Sequence, residues 1–543
     1  IALPMLRAQS VKALVLVQPE IAVQPKGGEY PAGAEINLTT EIKQLATGTV
    51  RCQWYRCSGE DYADATPIEG ANSCTVGGAG WIIPYTVPSQ ETGSAWYFCE
   101  IYAYKKEQDL SSDKVRTDCV QITIVEPDLP MKGKGTSEDP YLIASQEDLI
   151  AIQKAVAEGN AFVEKYFTFA DNITLPTGWE PIGCTKDGTN DIQAGANLNA
   201  FSGNINGAGF TLTVPVGGKP LLGYVRGATI KDLKIYGERI DGYGLVNNFE
   251  GVGLSGSAII IDNVTLKSGS KTLKSGLIGA NITTNGYAGC SAGFTATIRN
   301  CTIERNVIIG YTGTENRIGS IAGRLQGTVE NCVSYATVRG NQYVGGLVGV
   351  KDNAMGYCEV TNSQFHGTVE GNSYVGGISG GPYSGVAAPN GIRLSITGCT
   401  VDGTVKGKSC VGGILGGSVG NNNTVTGCYN TADVTATSGS AGGILGGSGY
   451  ALNVESCYNT GKISGTASGG IAGEVKGNVN WSGTVQGKIT ISACYSVGEA
   501  GSAVFGTVDT ASSEISKCYY LNTLAADANA EALSAADLMD ADL

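Results

Sequence analysis

Charge is scarce in this sequence, and positive charge is the scarcer kind. Only 16% of the 543 residues are charged, and 49 acidic residues against 36 basic ones give a formal net charge of −13. Lysine and arginine form no block that could neutralise a phosphate backbone, which excludes nucleic-acid binding as the main function. The apolar stretch "VKALVLV", which starts at Val11, is far shorter than the roughly 20 residues that cross a bilayer, so no membrane span is predicted.

Histidine is nearly absent, and the spacings of metal and catalytic motifs are absent with it. The chain has one histidine, His366, and no CxxC or HExxH motif, and we expect no nucleophile elbow that would complete a catalytic triad with His366. We therefore predict no metal site, no cofactor and a surface position for His366. The acidic residues of the repeats form no local pair like that of glycosidases, and we expect them to be solvated. They are Asp232, Asp262, Glu330, Asp402 and Glu455.

Proline is also scarce, whereas glycine is abundant. The 80 glycines follow no Gly-X-Y period and accompany only 16 prolines, which excludes a collagen-like chain. Hydrophobic residues make up 42% of the chain and recur in short regular runs, which argues against disorder. The composition therefore predicts a folded, all-β protein.

Residues 18–127 predict an immunoglobulin-like β-sandwich behind an extended segment at residues 1–17. Trp54 follows Cys52 in "CQW", and "WYFC" ends at Cys99, as in the two central strands of such a sandwich. A disulfide between Cys52 and Cys99 is one alternative, although the usual first cysteine, on the earlier "INLTTEI" strand, is missing. Cysteine pairing stays open for Cys52, Cys57, Cys74, Cys99, Cys119, Cys184, Cys290, Cys358 and Cys410.

A linker at residues 128–140 leads to the strongest helix pattern of the chain, "SQEDLIAIQKAVAEG". Ser145 is the expected N-cap, Asp148 its capping partner, and Gly159 the stop signal. A long series of short strands follows. A helix in this place would cover the open first rung of a solenoid, whose backbone groups are otherwise unpaired.

Repeated phrases dominate the chain from about Phe201 onwards. "VGGILGG" and "AGGILGG" alternate with "VTGCYN" and "VESCYN", and the repeated cysteine position recurs every 24 to 37 residues. Each repeat offers three short strands that cannot bury their apolar faces alone. We therefore predict a right-handed parallel β-helix at residues 141–543, with three strands per coil and roughly ten coils, capped by a helix at its start and followed by a helical tail.

Seven cysteines occupy one position of the repeat, and Ser363 takes the same position in another copy. Equivalent residues of stacked coils lie about 4.8 Å apart with parallel Cα–Cβ bonds, which is somewhat farther than the Cβ separation of roughly 3.8 Å that a disulfide favours. We therefore predict a ladder of small, buried, reduced thiols. Its members are Cys301, Cys332, Cys399, Cys428, Cys457, Cys494 and Cys518.

Repeat length varies at one corner, directly after the glycine phrase. The insertions, such as "GPYSGVAAPNGIRL" and "EVKGNVNWSGTVQGK", should line up along one edge of the solenoid, which is commonly the binding face. Their aromatic side chains suit stacking on sugars or anchoring a protein, or they pack within the loops as structural residues. These candidate ligand-binding residues are Tyr287, Phe294, Tyr357, Tyr383, Tyr450 and Trp481.

The phrases "GNQYVGGLVG", "GNSYVGGISG" and "VGGILGG", alternating with "GCYN", closely resemble the GLUG-type repeat of bacterial surface proteins and adhesins. The resemblance extends over about residues 133–543, where "LSAADLMDADL" resembles the short helical segment that follows such repeats. It implies an extracellular protein, wall-associated or secreted, in adhesion or assembly. The sandwich resembles the immunoglobulin-like modules that accompany these repeats in gut bacteria.

We accordingly predict a non-enzymatic adhesin-like protein that binds glycans or surface proteins of host or neighbouring cells. One alternative is a self-assembling filament subunit, in which "VKALVLV" adds as a strand to a neighbouring copy. Another is a polysaccharide-degrading enzyme on the same scaffold. The chain shows no initiating methionine, signal peptide or LPxTG sorting motif, so we expect a processed chain or a fragment.

Overall fold

The computed structural model describes residues 16–539 with internal gaps and divides into two compact units, Ile1–Asp128 and Leu129–Leu543. The residues outside the described ranges are 1–15, 63, 78–79, 128, 184–198, 250–257, 280–294, 352–355, 383–391, 419–421, 449–450, 480–481 and 540–543.

The first unit is a sandwich of two sheets. All neighbouring strands are antiparallel except the first and last strands of the larger sheet, Gly28–Pro31 and Val120–Val125, which pair in parallel. The smaller sheet consists of Ile21–Val23, Ile36–Lys43, Thr75–Gly77 and Gly80–Val87. The larger consists of Gly28–Pro31, Thr49–Cys57, Thr66–Pro67, Gly93–Lys105, Leu110–Ser111, Val115–Arg116 and Val120–Val125, with a 3-10 turn at Lys106–Gln108.

Alternation along the strands explains how the two sheets enclose a core. In Thr49–Cys57 every second residue from Val50 to Trp54 is buried, and Trp54 is completely inaccessible to solvent. The predicted immunoglobulin-like sandwich is confirmed at the level of fold. Cys52 and Cys99 are free thiols in the structure. Cys99 lies opposite Trp54, two residues away from Cys52 in the strand register, and a side-chain hydrogen bond with Cys52, followed by burial, raises the pKa of Cys99.

The second unit begins with one strand and the predicted helix. The helix spans Gln146–Ala157; the Ser145 side chain accepts a hydrogen bond from the Asp148 amide, and the Asp148 carboxylate accepts one from the Ser145 amide at 2.9 Å. Its buried residues, which include Leu149 and Ile152, join the solenoid core. This reciprocal capping box fixes where the helix starts.

The remainder is a parallel β-helix, as the repeats predicted. A full coil of the central region contributes one short strand to each of five sheets, named A to E in chain order within the coil. Each strand pairs in parallel with the equivalent strand of the next coil. The apolar side chains of all five sheets meet in one continuous core that runs from Met131 to Tyr520.

Sheets A and B extend over nearly the whole solenoid. Sheet A comprises Tyr141–Ile143, Tyr166–Phe169, Asn204–Asn206, Thr229–Lys231, Ala258–Asp262, Thr295–Arg299, Gly327–Glu330, Gly356–Thr361, Ile392–Thr397, Asn423–Thr426, Leu452–Glu455, Ile489–Ser492 and Ser513–Ser516. Sheet B comprises Ile173–Thr174, Thr211–Thr213, Lys234–Tyr236, Thr265–Leu266, Thr302–Ile303, Val333–Ser334, Gln364–Phe365, Thr400–Val401, Tyr429–Asn430, Tyr458–Asn459, Tyr495–Ser496, Tyr519–Leu521 and Glu531–Leu533.

Sheets C, D and E complete the coils. Sheet C comprises Lys271–Thr272, Ile308–Ile309, Thr337–Arg339, Thr368–Glu370, Thr404–Gly407, Asp433–Ala436 and Ile463–Ser464. Sheet D comprises Gln342–Gly345, Ser373–Gly376, Ser409–Gly412, Ser440–Gly442 and Ala467–Gly469. Sheet E comprises Ala322–Leu325, Val348–Lys351, Ser379–Pro382, Leu415–Ser418, Leu445–Ser448, Ala472–Val475 and Phe505–Val508, with a separate earlier pair at Leu222–Val225 and Val246–Phe249.

Coils with five strands instead of the three anticipated arise because two of the three phrases bend in their middle. "VTGCYN" turns at its Gly-Cys pair and contributes to sheets A and B, whereas "VGGILGG" turns at Gly413 and Ile414 and contributes to sheets D and E. The third phrase, "TADVTAT", forms sheet C alone. After the last full coil, Glu531–Leu533 adds to sheet B and a 3-10 turn follows at Asp537–Met539, where the sequence predicted a helical tail.

The glycines of the phrase permit contacts that a Cβ atom would prevent. A Cβ on Gly412 would lie 2.0 Å from the Leu415 carbonyl oxygen, so this bend admits glycine alone. A Cβ on Gly416 would lie 2.5 Å from backbone atoms of Tyr374 and Val375 in the preceding coil. Sheets D and E therefore pack backbone against backbone, which is why the glycines of the phrase recur from coil to coil.

Candidate functional site

One corner of the solenoid, between sheets A and B, keeps a constant length. From Asp232 onwards the connection is two residues long in every coil. We call it the fixed corner. Its first residue has a left-handed backbone conformation, with φ between 48° and 62° at Asp232, Asn263, Asn300, Asn331, Asn362, Gly398, Gly427, Ser456, Ala493 and Lys517. Asparagine and glycine tolerate this conformation best, which accounts for the frequent "NC" and "GC" pairs.

The second residue of the fixed corner is the repeated cysteine or its substitute. All seven ladder cysteines are buried and free, and neighbouring coils are joined through them. The Cys428 thiol donates to the Thr426 carbonyl at 3.4 Å and accepts the Cys399 amide at 3.4 Å. Ser363 makes the same two contacts through its hydroxyl, donating to Thr361 at 2.8 Å. From Cys301 onwards the position holds a small side chain that can both donate and accept, whereas Leu233 and Val264 fill it in the two preceding coils.

The ladder thiols are chemically quiet. A hydrogen bond between two ladder thiols shifts their pKa values in opposite directions: the bond with Cys428 and burial raise the pKa of Cys399, whereas the bonds with Cys399 and Cys457 lower the pKa of Cys428. All seven ladder cysteines are at most 3% exposed, so reagents, substrates and metal ions in solution have little access to them. The ladder is therefore a structural device, and chemistry or binding must be sought elsewhere.

The connections between sheets E and A vary in length, in contrast to those of the fixed corner. The sequence placed the insertions at this corner. We call this connection the variable corner. In five successive coils its length ranges from three residues, 449–451, to thirteen, 476–488. The longest connection contains an antiparallel hairpin of Asn478–Val479 and Val485–Gly487. The strand ends that these connections join lie along one edge of the solenoid.

Of the six predicted ligand-binding aromatics, Tyr357 lies within the described residues. It is the second residue of Gly356–Thr361 in sheet A, adjacent to the variable corner, and it is 37% exposed. The other five, Tyr287, Phe294, Tyr383, Tyr450 and Trp481, lie outside the described residues, as do Cys184 and Cys290. A ligand-binding role remains a prediction from the sequence for all six, and the structure locates one of them.

Two tyrosines missed by the sequence reasoning border sheet E from its other side. Tyr343 and Tyr374 stack with ring centroids 4.8 Å apart and nearly parallel planes. Both have left-handed backbone conformations, with φ of 55° and 56°. The Tyr374 ring lies where a Cβ on Gly417 would come within 2.6 Å of it, so the bare glycine strip forms its seat. Burial raises the pKa of Tyr374. The signal was the tyrosine that precedes "VGG" in two consecutive repeats.

A second tyrosine stack runs along the outer face of sheet B. The rings of Tyr429, Tyr458 and Tyr495 are nearly parallel, with successive centroids 4.9 and 5.1 Å apart. Each ring covers the face of the next, so only edges and hydroxyl groups reach solvent along the row. Sugar rings stack on aromatic faces, and this row therefore offers no open platform for them. Alternation in "CYN", with cysteine and asparagine inward, was the overlooked signal.

His366 lies on the outer face of sheet B, its side chain 24% exposed. Its ring stacks on Tyr335 at 5.1 Å, and its Nε2 atom is 2.9 Å from the Gln364 side-chain oxygen. Within the described part of the chain no three His, Cys, Asp or Glu side chains converge as metal ligands would. The surroundings of His366 are those of a hydrogen-bonded surface residue.

Comparison with known proteins gives limited likenesses. No protein-family model matches the chain, so the GLUG-type resemblance stays an interpretation of the repeat phrases. Halomucin of Haloquadratum walsbyi (strain DSM 16790 / HBSQ001) is 29% identical over 224 residues, which is 41% of this chain and 2% of Halomucin. The chain thus spans only about 2% of the length of that relative.

Two solved structures match the chain with low scores. One, from Bacteroides ovatus, carries the provisional name immunoglobulin A1 protease; it has 16% identity, covers 71% of this chain and 86% of its own, and gives a TM-score of 0.27. The other is an immunoglobulin domain complex of titin M10 and obscurin-like 1, with 17% identity, coverage of 21% and 97%, and a TM-score of 0.14. Scores this low carry no functional conclusion. Among the described residues no helix is long and apolar enough to cross a membrane.

Proposed function

We propose that this protein is an extracellular or cell-surface scaffold of the adhesin type, in which a rigid β-helix presents ligand-binding loops along its variable corner. The observation that carries the proposal is the contrast in connection length. The fixed corner has two residues in every coil from Asp232, whereas the variable corner ranges from three to thirteen residues in neighbouring coils. Variation confined to one edge of a solenoid is typical of a binding face.

The ligand class that best suits this edge is a glycan or a protein surface. Tyr357 offers an exposed aromatic ring beside the edge, and the sequence places Tyr383 and Trp481 within the two longest of the five connections. Aromatic rings next to glycine, serine and asparagine combine apolar contact with polar contacts, which both ligand classes require. The resemblance of the repeat phrases to those of bacterial surface proteins supports the extracellular location.

We do not propose catalysis on polysaccharide. A catalytic acid in a glycosidase needs a raised pKa, so that it carries a proton near neutral pH. At Asp262 burial is outweighed by hydrogen bonds from Asn300 at 2.7 Å and Arg299 at 2.8 Å, and the pKa is lowered. The filament alternative relies on residues 11–17, of which 11–15 lie outside the described residues.

The test is a glycan and extracellular-matrix array probed with the full chain, with light scattering to report its mass. We expect saturable binding by a monomer, at least about tenfold weaker in the double variant Tyr383→Ala/Trp481→Ala, with an unchanged unfolding midpoint. Thr431→Ala, a small change at an exposed position next to sheet B, is the control and should bind like wild type. Equal binding by the double variant would contradict the proposal, and large ordered assemblies without binding would favour the filament.

A further inference from the structure

Two cysteines of the first unit approach each other closely although 62 positions separate them in sequence. The Sγ atoms of Cys57 and Cys119 are 3.4 Å apart. Cys57 is the last residue of Thr49–Cys57, and Cys119 directly precedes Val120–Val125. Both strands pair with the central strand Gly93–Lys105, from its two sides. The chain therefore brings together two thiols from opposite ends of the unit.

The pair occupies a small closed compartment on the face of the larger sheet that points away from the main core. Cys57 and Cys119 are 5% and 9% exposed, and together with Phe98 they form a separate apolar cluster. The ring of Tyr62 packs edge-on against Phe98 at 4.6 Å and helps to close the compartment. Water and large reagents have little access, so a bond formed here would be protected from reduction.

We propose that Cys57 and Cys119 form a disulfide bond in the mature protein. The two thiols release two protons and two electrons as the S–S bond forms; a thiol–disulfide oxidoreductase accepts the electrons, and its own disulfide becomes two thiols. The sulfurs must approach by about 1.4 Å to reach bonding distance. Both residues lie at strand ends, where such a shift leaves the ladder of backbone hydrogen bonds intact.

The setting of this pair differs from that of the cysteine ladder in the second unit. Ladder thiols are held in register by stacked strands and donate to nearby carbonyl groups, as Cys428 does to Thr426 at 3.4 Å. The carbonyl contacts of Cys57 and Cys119 are longer, at 3.7 Å each, and their sulfurs lie closer to each other than to those carbonyls. Burial, followed by the contact with Cys57, raises the pKa of Cys119 to about 12. Its thiolate is therefore scarce in the folded state, and the bond should form during folding in an oxidising compartment.

The experiment exports the full chain to a bacterial periplasm and alkylates it under denaturing conditions without reductant. We expect two fewer alkylated cysteines than the sixteen of the sequence, and a peptide that links Cys57 to Cys119. Cys428→Ser serves as the matched control and should retain the linked peptide. Alkylation of all sixteen cysteines, or a link from either residue to another cysteine, would overturn the proposal.

Thermal unfolding provides a second measurement, which does not depend on recovery of the linked peptide. The closed loop is long, so reduction of the bond should lower the unfolding midpoint of the first unit by on the order of 10 °C. The double variant Cys57→Ser/Cys119→Ser should unfold at the midpoint of the reduced protein and should not respond to reductant. An oxidised wild type whose midpoint ignores reductant would contradict a bond between these residues.

Discussion

The fixed corner and the variable corner belong to the same coils, yet they respond to sequence change in opposite ways. From Asp232 onwards the chain uses two residues between sheets A and B, with a left-handed first residue and a buried second residue. Between sheets E and A it uses three residues in one coil and thirteen in the next. The two connections are equally part of the repeat, but only one of them is uniform.

Parity explains the difference. Successive side chains of a strand point to opposite faces, so a change of one residue at the fixed corner would turn every following side chain of sheet B over. At the variable corner the strand ends can be joined by connections of different length without a change in the faces of the strands, and each doubling of loop length costs only about 0.6 kcal/mol. The fixed corner thus maintains the register of the strands, whereas the variable corner tolerates changes in connection length.

The largest expected effect comes from matched insertions of one glycine at the two corners. Between Gly427 and Cys428 the insertion would direct Tyr429 inward and Asn430 outward, so we expect a loss of roughly 3–5 kcal/mol or a failure to fold. Between Ser418 and Asn423 the same insertion should cost less than about 1 kcal/mol. Thermal unfolding followed by circular dichroism measures both, and equal losses at the two corners would refute the comparison.

Two glycine substitutions compare the closely packed sheet E with the variable corner that follows it. In Gly416→Ala the new Cβ would lie 2.5 Å from the backbone of Tyr374 and Val375, which cannot move aside. We expect a loss of about 2–4 kcal/mol. Gly483→Ala, in the hairpin of the variable corner, has open space around its Cβ and a φ of 81°, so backbone strain alone should cost about 1 kcal/mol. Comparable losses would show that packing of sheets D and E is not the cause.

Substitution within the cysteine ladder separates size from hydrogen bonding. Cys428→Val adds a methyl group at a position without free volume and should cost about 1–3 kcal/mol. Cys428→Ser reproduces the contacts of Ser363 and should cost less than about 1 kcal/mol. The midpoint of urea unfolding distinguishes them, together with hydrogen exchange in the adjacent coils, where a nearest-neighbour solenoid should confine the damage. A valine variant as stable as the serine variant would contradict the size requirement.

The left-handed residue of the fixed corner should have a smaller effect of its own. Gly427 has φ of 62°, and a Cβ added to it would meet no atom nearer than 4.0 Å, so Gly427→Ala introduces backbone strain without a clash. We expect a loss of about 1 kcal/mol. Asn331→Gly relieves the same strain in another coil and should be neutral within about 0.5 kcal/mol. Destabilisation by both changes would mean that side-chain contacts, not φ, set the preference.

The smallest effect on stability is expected beside the variable corner. Tyr357 is 37% exposed, and Tyr357→Ala should change the free energy of unfolding by no more than about 0.5 kcal/mol. Tyr458→Ala removes the middle ring of the stack on sheet B and should cost about 0.5–1.5 kcal/mol. In a binding assay the order should reverse, with Tyr357→Ala the weaker binder. Stability loss at Tyr357 above that at Tyr458 would make it a packing residue.

Much of this architecture could be read from the sequence, because a repeat reports its own register. The recurring cysteine phrase placed Cys301 to Cys518 at one position of the repeat. Insertions after the glycine phrase marked the variable corner. The subdivision of each coil escaped prediction, since a bend at Gly427 and Cys428 looks like a continuous strand in a pattern of alternating residues. The left-handed residue before each cysteine had a signal in the recurring Asn and Gly.

Other features depend on contacts between distant parts of the chain. The approach of Cys57 to Cys119 follows from two strands that flank a third, and no periodicity in the sandwich sequence indicates it. The seat of Tyr374 on Gly417 joins a tyrosine of one coil to a glycine of the next. Patterns in a single sequence report local periodicity, so contacts between residues distant in sequence are seen only in the folded structure.

The stack of Tyr429, Tyr458 and Tyr495 has an optical consequence. Nearly parallel phenol rings 4.9 and 5.1 Å apart act as coupled chromophores, and an excitation of one ring is shared with the next. The near-ultraviolet circular dichroism of these tyrosines therefore depends on the alignment of three successive coils. Near-ultraviolet circular dichroism can therefore report the alignment of these coils along the solenoid axis without an added label.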